Sequence, residues 1–135
     1  MTEIRERRYS QRHQFPGSNV FCEESSTLGI FKKYSEPLTL NDLNKSGLGF
    51  QTDKELVYGD KIHFKIEIPG HKKIQVIGEV RWIAPDNNSV QKNIGIQFLP
   101  FGTIKGYNSF SARAKLERLI NPLDQVQPQK DEVLQ

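Results

Sequence analysis

Residues 61 to 68 alternate without a break. Ile62, Phe64, Ile66 and Ile68 take every second place, and Lys61, His63, Lys65 and Glu67 take the others. Successive side chains of a strand point to opposite faces, so this order predicts one apolar face and one polar face. A helix would scatter the same residues around its cylinder. Pro69-Gly70-His71-Lys72 then reads as a hairpin loop. Ile74, Val76, Gly78, Val80 and Trp82 resume the alternation. A hairpin with one apolar face is barely stable in water, so the chain must bring more strands to cover it.

Those strands are legible on both sides. Residues 17 to 24 hold Val20, Phe21 and Cys22, and 27 to 34 read as a second strand after a Ser25-Ser26 turn. Glu36-Pro37 ends that strand. Leu38, Leu40 and Leu43 approach a polar turn, and 48 to 52 leave it. Asp86-Asn87-Asn88-Ser89 makes another turn before a strand at 90 to 99, with Ile94, Ile96 and Phe98 on one face. Pro100 and Gly102 end it. Ala112, Leu116, Leu119, Ile120 and Leu123 then recur at helical spacing. Ser109 or Ser111 suits the cap and Pro122 the stop. The expectation is a mainly β fold: a small antiparallel barrel of six or seven strands, one mouth covered by a single C-terminal helix. The pattern by itself fits an oligonucleotide-binding or SH3-like barrel equally well.

The chain of 135 residues suits one domain. Its mean hydropathy of −0.60 points to polar ends around a compact centre. We therefore expect a flexible basic arm at 1–16, the barrel and helix at 17–123, and a disordered tail at 124–135. The arm carries Arg5, Arg7, Arg8 and Arg12 against Glu3 and Glu6. That charge suits a small phosphorylated ligand and is thin for duplex DNA. Cys22 is the one cysteine, so no intrachain disulfide forms; a small strand residue in a reducing compartment is the plain reading. No apolar run approaches a membrane span, and the charged N-terminus lacks the apolar core of a signal peptide. A cytoplasmic protein without membrane insertion is expected. His13, His63 and His71 lie apart with no partners at metal-ligand spacing, and no paired carboxylates suggest acid/base work. Neither a metal site nor an enzyme is expected.

Two polar segments stand outside the alternation. Arg7-Arg8-Tyr9-Ser10-Gln11-Arg12 contains R-x-x-x-R, and Asn44-Lys45-Ser46-Gly47-Leu48-Gly49 reads N-x-S-x-x-G. A guanidinium is a planar fork of donors that suits a phosphate or the O6 and N7 acceptors of guanine. Asn44 offers an acceptor and donors to a base edge, and Ser46 a hydroxyl to a phosphate oxygen. Gly47 and Gly49 permit close backbone approach. Alone, the first segment reads as a solvated arm and the second as a polar turn. They occur in this order, followed by Gly78-Glu79-Val80-Arg81-Trp82-Ile83 and Asn93-Ile94-Gly95-Ile96-Gln97-Phe98. Over roughly residues 7 to 99 the chain thus resembles PilZ domains, receptors for the second messenger cyclic di-GMP.

The resemblance implies a PilZ-type barrel and a nucleotide site built from Arg7, Arg8, Arg12, Asn44, Ser46, Gly47, Gly49 and Trp82. Trp82 carries two readings. Parity with Val76 and Val80 makes it a core aromatic closing the barrel; the resemblance makes it a wall beside a guanine. Arg7 immediately precedes the motif, where an arginine in this family goes with a stacked pair of nucleotides. The implied function is a non-catalytic bacterial receptor with no cofactor beyond its ligand. It would relay the signal by ordering its N-terminal arm toward a protein of flagellar, exopolysaccharide or pilus machinery. Two alternatives differ in kind: a PilZ-like interaction module without nucleotide, and a nucleic-acid-binding barrel. The second needs aromatics on a basic sheet face, whereas Phe64, Trp82 and Phe98 fall on the apolar parity.

Overall fold

In a computed structural model, which describes residues 11–25, 32–87 and 89–134, the alternating segments form strands. These are β1 (Asn19–Ser25), β2 (Lys32–Tyr34), β3 (Leu38–Leu43), β4 (Gly47–Thr52), β5 (Lys61–Glu67), β6 (Ile74–Pro85) and β7 (Lys92–Phe98), followed by helix α1 (Phe110–Leu134). The expected strand at 27–34 is described only in its last three residues, as β2. Every strand pairing is antiparallel, in the order β2-β1-β3-β4-β7-β6-β5. β1 also pairs with β5, from Asn19↔Glu67 to Cys22↔Phe64. That pairing closes six strands into a barrel, and β2 lies outside it on the far end of β1.

The apolar parities fill the interior as expected. Phe64 and Ile66 of β5, Ile74, Val76 and Val80 of β6, and Ile94, Ile96 and Phe98 of β7 are buried. Phe64 meets Phe50 edge-on, with ring centroids 5.6 Å apart. Each fully buried side chain of this size stabilises the fold by about 1.5–3 kcal/mol relative to exposure. The β5–β6 hairpin turns where Pro69-Gly70 predicts, with Gly70 at φ 82 and His71 N donating to Ile68 O at 3.0 Å.

Ser109 is the helix cap, its Oγ accepting from Ala112 N at 3.0 Å. Ala112, Leu116, Leu119 and Ile120 join the core cluster. Leu123, expected on the same stripe, is instead exposed. The stop expected at Pro122 does not occur: α1 continues to Leu134, so 124–134 are helical backbone rather than a tail without structure. Proline removes one donor from the ladder. The turn beyond it is held from outside, because Asp124 bonds His13 Nε2 at 2.8 Å and lies 3.8 Å from Lys45 Nζ.

The loop after β7 is fastened by a residue that the sequence did not single out. Asn108 is buried, accepts from Ile77 N at 2.6 Å and donates to Ile77 O and Leu99 O, both at 2.9 Å. Asn108→Ala removes the partner of Ile77 N and Leu99 O, while Ile77 O keeps its bond from Leu99 N at 2.9 Å. We expect a loss of about 2–3 kcal/mol in unfolding free energy, read as a lower denaturant midpoint. Ser89→Ala, on an exposed turn, should stay within about 0.5 kcal/mol.

Cys22 is buried in the barrel, and burial pushes its thiol up to about 12, with Lys54 pulling it back and Glu24 adding to the rise. The folded thiol therefore keeps its proton where the unfolded one, near 9.0, has lost it. Stability from this group falls as pH rises from about 9 toward 12. Denaturant midpoints measured across that window should fall less steeply in Cys22→Ala. At pH 8 a thiol reagent should label native protein only as fast as it opens.

Candidate functional site

The site begins with a break in register. β6 and β7 pair as Gly78↔Phe98 and Val80↔Ile96, and then as Trp82↔Gly95 and Ile83↔Ile94. Arg81 is the extra residue of a β-bulge, and the bulge resets the alternation. Val80 still points inward, while Arg81 and Trp82 are both exposed. Trp82 is therefore not the core aromatic that parity predicts; it is 39% exposed on the outer face. Its indole lies over Gly95, where an added Cβ would collide with Nε1, Cε2 and Cδ1. Gly95 has no side chain, and the aromatic ring takes that place on the sheet.

The β3–β4 turn forms the opposite wall. Asn44 is buried, and its Oδ1 accepts from Ser46 N at 2.9 Å, Ser46 Oγ at 3.0 Å and Gly47 N at 2.8 Å. The acceptor expected to meet a base edge is thus engaged in shaping the turn, as Asn commonly does. Gly47 must be glycine for packing, because a Cβ there would strike Ile96 O on β7. Gly49, also expected at the ligand, does not line the groove itself: it pairs with Asp42, and its Cβ position lies 3.0 Å from Asp42 Oδ1. Its absent side chain makes room for the carboxylate that holds Arg12.

Arg12 reaches the site from the N-terminal segment. His13 N donates to Leu43 O at 3.0 Å and Leu43 N to His13 O at 2.9 Å, so this part of the expected arm already lies on β3. Arg12 Nη1 donates to Asp42 Oδ1 at 3.2 Å. A guanidinium has five donors, so the pair orients the group without using it up. Both partners are partly solvated, and the bridge itself adds little stability. Arg7 and Arg8 lie outside the described residues.

Arg12, Asn44, Ser46, Gly47 and Trp82 line one open groove of about 350 Å³. Arg81, Gly95, Ile96 and Gln97 complete it and were not foreseen as site residues. All four sit inside the two strand motifs quoted above, but only the bulge turns Arg81 to the same side as Trp82. A larger depression, about 440 Å³, is lined by Glu23, Tyr34, His63 and Tyr107 among others, with no arginine or lysine. Of these two, the smaller groove is the one with cations for an anionic ligand. Among the described residues no three His, Cys, Asp or Glu side chains gather as metal ligands. No described helix is long and apolar enough to cross a membrane.

Comparison with known proteins bears on the same segments. A family model described as PilZ domain matches residues 6–120. YcgR of Escherichia coli, solved in complex with c-di-GMP, superposes with a TM-score of 0.62 at 18% identity, covering 96% of this chain and 51% of that one. The separately solved YcgR PilZ domain with c-di-GMP gives 0.57 at 17% identity, covering 93% and 98%. The K. pneumonia MrkH–c-di-GMP complex gives 0.59 at 12% identity, covering 92% and 54%. The chain thus spans about half the length of the longer YcgR and MrkH chains. At such identities the likeness is one of fold. A search of curated proteins returns no match.

The contact between Trp82 and Gly95 can be tested directly, because Trp82 is the single tryptophan. Gly95→Val should displace the indole into solvent, shifting its emission to the red with little change in far-ultraviolet circular dichroism. An unchanged emission spectrum would contradict the packing described.

Proposed function

The chain belongs to the PilZ domain family, and from that premise we propose that it is a non-catalytic bacterial receptor for cyclic di-GMP, acting in the cytoplasm. One observation carries the reading. The groove gathers a guanidinium, a serine turn and an exposed indole from three separate parts of the chain, Arg12, Ser46 and Trp82. These are the groups a guanine dinucleotide asks for: a fork of donors for phosphate, a hydroxyl beside it, and a flat surface for a base. That YcgR and MrkH were solved with c-di-GMP on the same fold supports the choice of ligand.

In this reading the nucleotide bridges Arg8 and Arg12 to the β3–β4 turn. Ser46 exchanges its bond to Asn44 for a charge-assisted one to phosphate. Arg7 meets the extra phosphate charge of a second, stacked nucleotide. The output passes to a protein partner of flagellar, exopolysaccharide or pilus machinery. Its route is supported by contacts at the back of the site. His13 follows Arg12 and bonds Asp124 of α1, while Lys45 of the turn donates to Asn121 Oδ1 at 3.0 Å. Arm, turn and helix are thereby linked, so ordering the arm alters the surface around α1.

Calorimetric titration with cyclic di-GMP, with GTP and a short single-stranded DNA as controls, tests the proposal. Arg12→Ala should cost about 1.5–3 kcal/mol, roughly ten- to hundredfold in affinity. Wild type should approach two nucleotides per chain and Arg7→Leu one. No uptake by wild type would overturn the receptor reading, whereas a wild-type stoichiometry of one would remove only the stacked pair.

A further inference from the structure

Arg81 is the cation that the receptor reading leaves without a task. It lines the groove, is exposed, and comes from strand β6 of the barrel rather than from the arm. Among the described residues it holds no carboxylate, unlike Arg12, which is paired with Asp42. The bulge puts it beside Trp82 on the same outer face, an arrangement that regular alternation forbids. A bulge commonly re-aims a side chain in this way.

The two sides of the groove differ in chemistry. Arg12 and the Ser46 turn make one side, rich in donors suited to phosphate. Trp82 and Gly95 make the other, where one indole face rests over the glycine and the ring remains partly open to the groove. A base stacked on that open surface would lie parallel to the indole, in the groove that Arg81 also lines. We infer that Arg81 reads the guanine edge of the nucleotide, donating in a fork to O6 and N7. An adenine in that place offers an amino donor where guanine has O6, so it would face the guanidinium with like polarity. Arg81 is then a specificity-determining residue, and the bulge is the device that places it.

The inference rests on the receptor reading, and a ligand-atom cycle separates the two. Wild type and Arg81→Ala are each titrated with cyclic di-GMP and with its analogue in which N7 of both guanines is replaced by CH. Arg12→Ala serves as the comparison, and thermal melting confirms that each variant is folded. In wild type the N7 replacement should weaken binding about tenfold, the scale of a bidentate base contact. In Arg81→Ala cyclic di-GMP should bind about tenfold more weakly, and the N7 replacement should then make little difference, the signature of coupled partners. In Arg12→Ala the replacement should still cost what it does in wild type. Equal cost of the replacement in wild type and Arg81→Ala would overturn base reading, as would Arg81→Ala binding like wild type. In both of those cases an affinity loss in Arg12→Ala leaves the receptor reading standing. Failure of wild type to bind cyclic di-GMP overturns both.

Discussion

Closure of β1 onto β5 is the constraint on which the rest of this molecule depends. Four residue pairs, from Asn19↔Glu67 to Cys22↔Phe64, turn an open sheet into a six-stranded barrel. An open sheet would leave two rows of backbone donors and acceptors exposed to other chains. Closure pairs those rows and encloses Val20, Phe64 and Ile66 completely. It also fixes where the chain enters the barrel. The segment before β1 must run along the end of β3, and the His13–Leu43 bridge shows it doing so. Arg12 is delivered to the groove by that route.

The groove is made by departures from regularity on a regular frame. A flat continuation of β6 would have buried Trp82 and exposed Arg81 alone. One extra residue puts both outside, and Gly95 gives the indole a place to lie. On the other wall a buried asparagine draws three donors of its own turn together and so sets the position of Ser46. Asp42 above Gly49 holds Arg12 at the rim. Three glycines thus have distinct duties: Gly47 admits the β7 backbone, Gly49 admits a carboxylate, and Gly95 admits a ring. None of the three is described at positive φ, so their value here is the missing Cβ.

Membership of the PilZ family places the chain among folds solved with c-di-GMP, at sequence identities of 12–18%. At that distance the side chains in the groove must make their own case. Their composition supports the proposed ligand: two guanidinium groups, a serine turn and an indole share one groove. The family frame explains why those positions converge. The connections from His13 and Lys45 to α1 belong to this chain's own packing.

The alternation at 61 to 68 and 74 to 80 determined the strands, their inner faces and the hairpin between them, because a period of two has only one structural meaning over that length. The two polar motifs and the strand motifs that follow them pointed to the family and named Arg12, Asn44, Ser46, Gly47 and Trp82, which do meet in one groove. How each is held there was decided by contacts that the sequence motifs do not display. Asn44, expected at a base edge, also shapes its turn, and Gly49, expected at the ligand, also seats Asp42. Trp82 obeyed parity on paper, but a one-residue bulge, visible only when β6 is paired with β7, turned it outward with Arg81. Pro122 looked like a helix stop, yet α1 runs on where Asp124 is held by His13, a partner 111 positions away. Local pattern specifies which way a side chain points along its own strand. The register of the neighbouring strand, and the partners it brings, decide what that side chain meets.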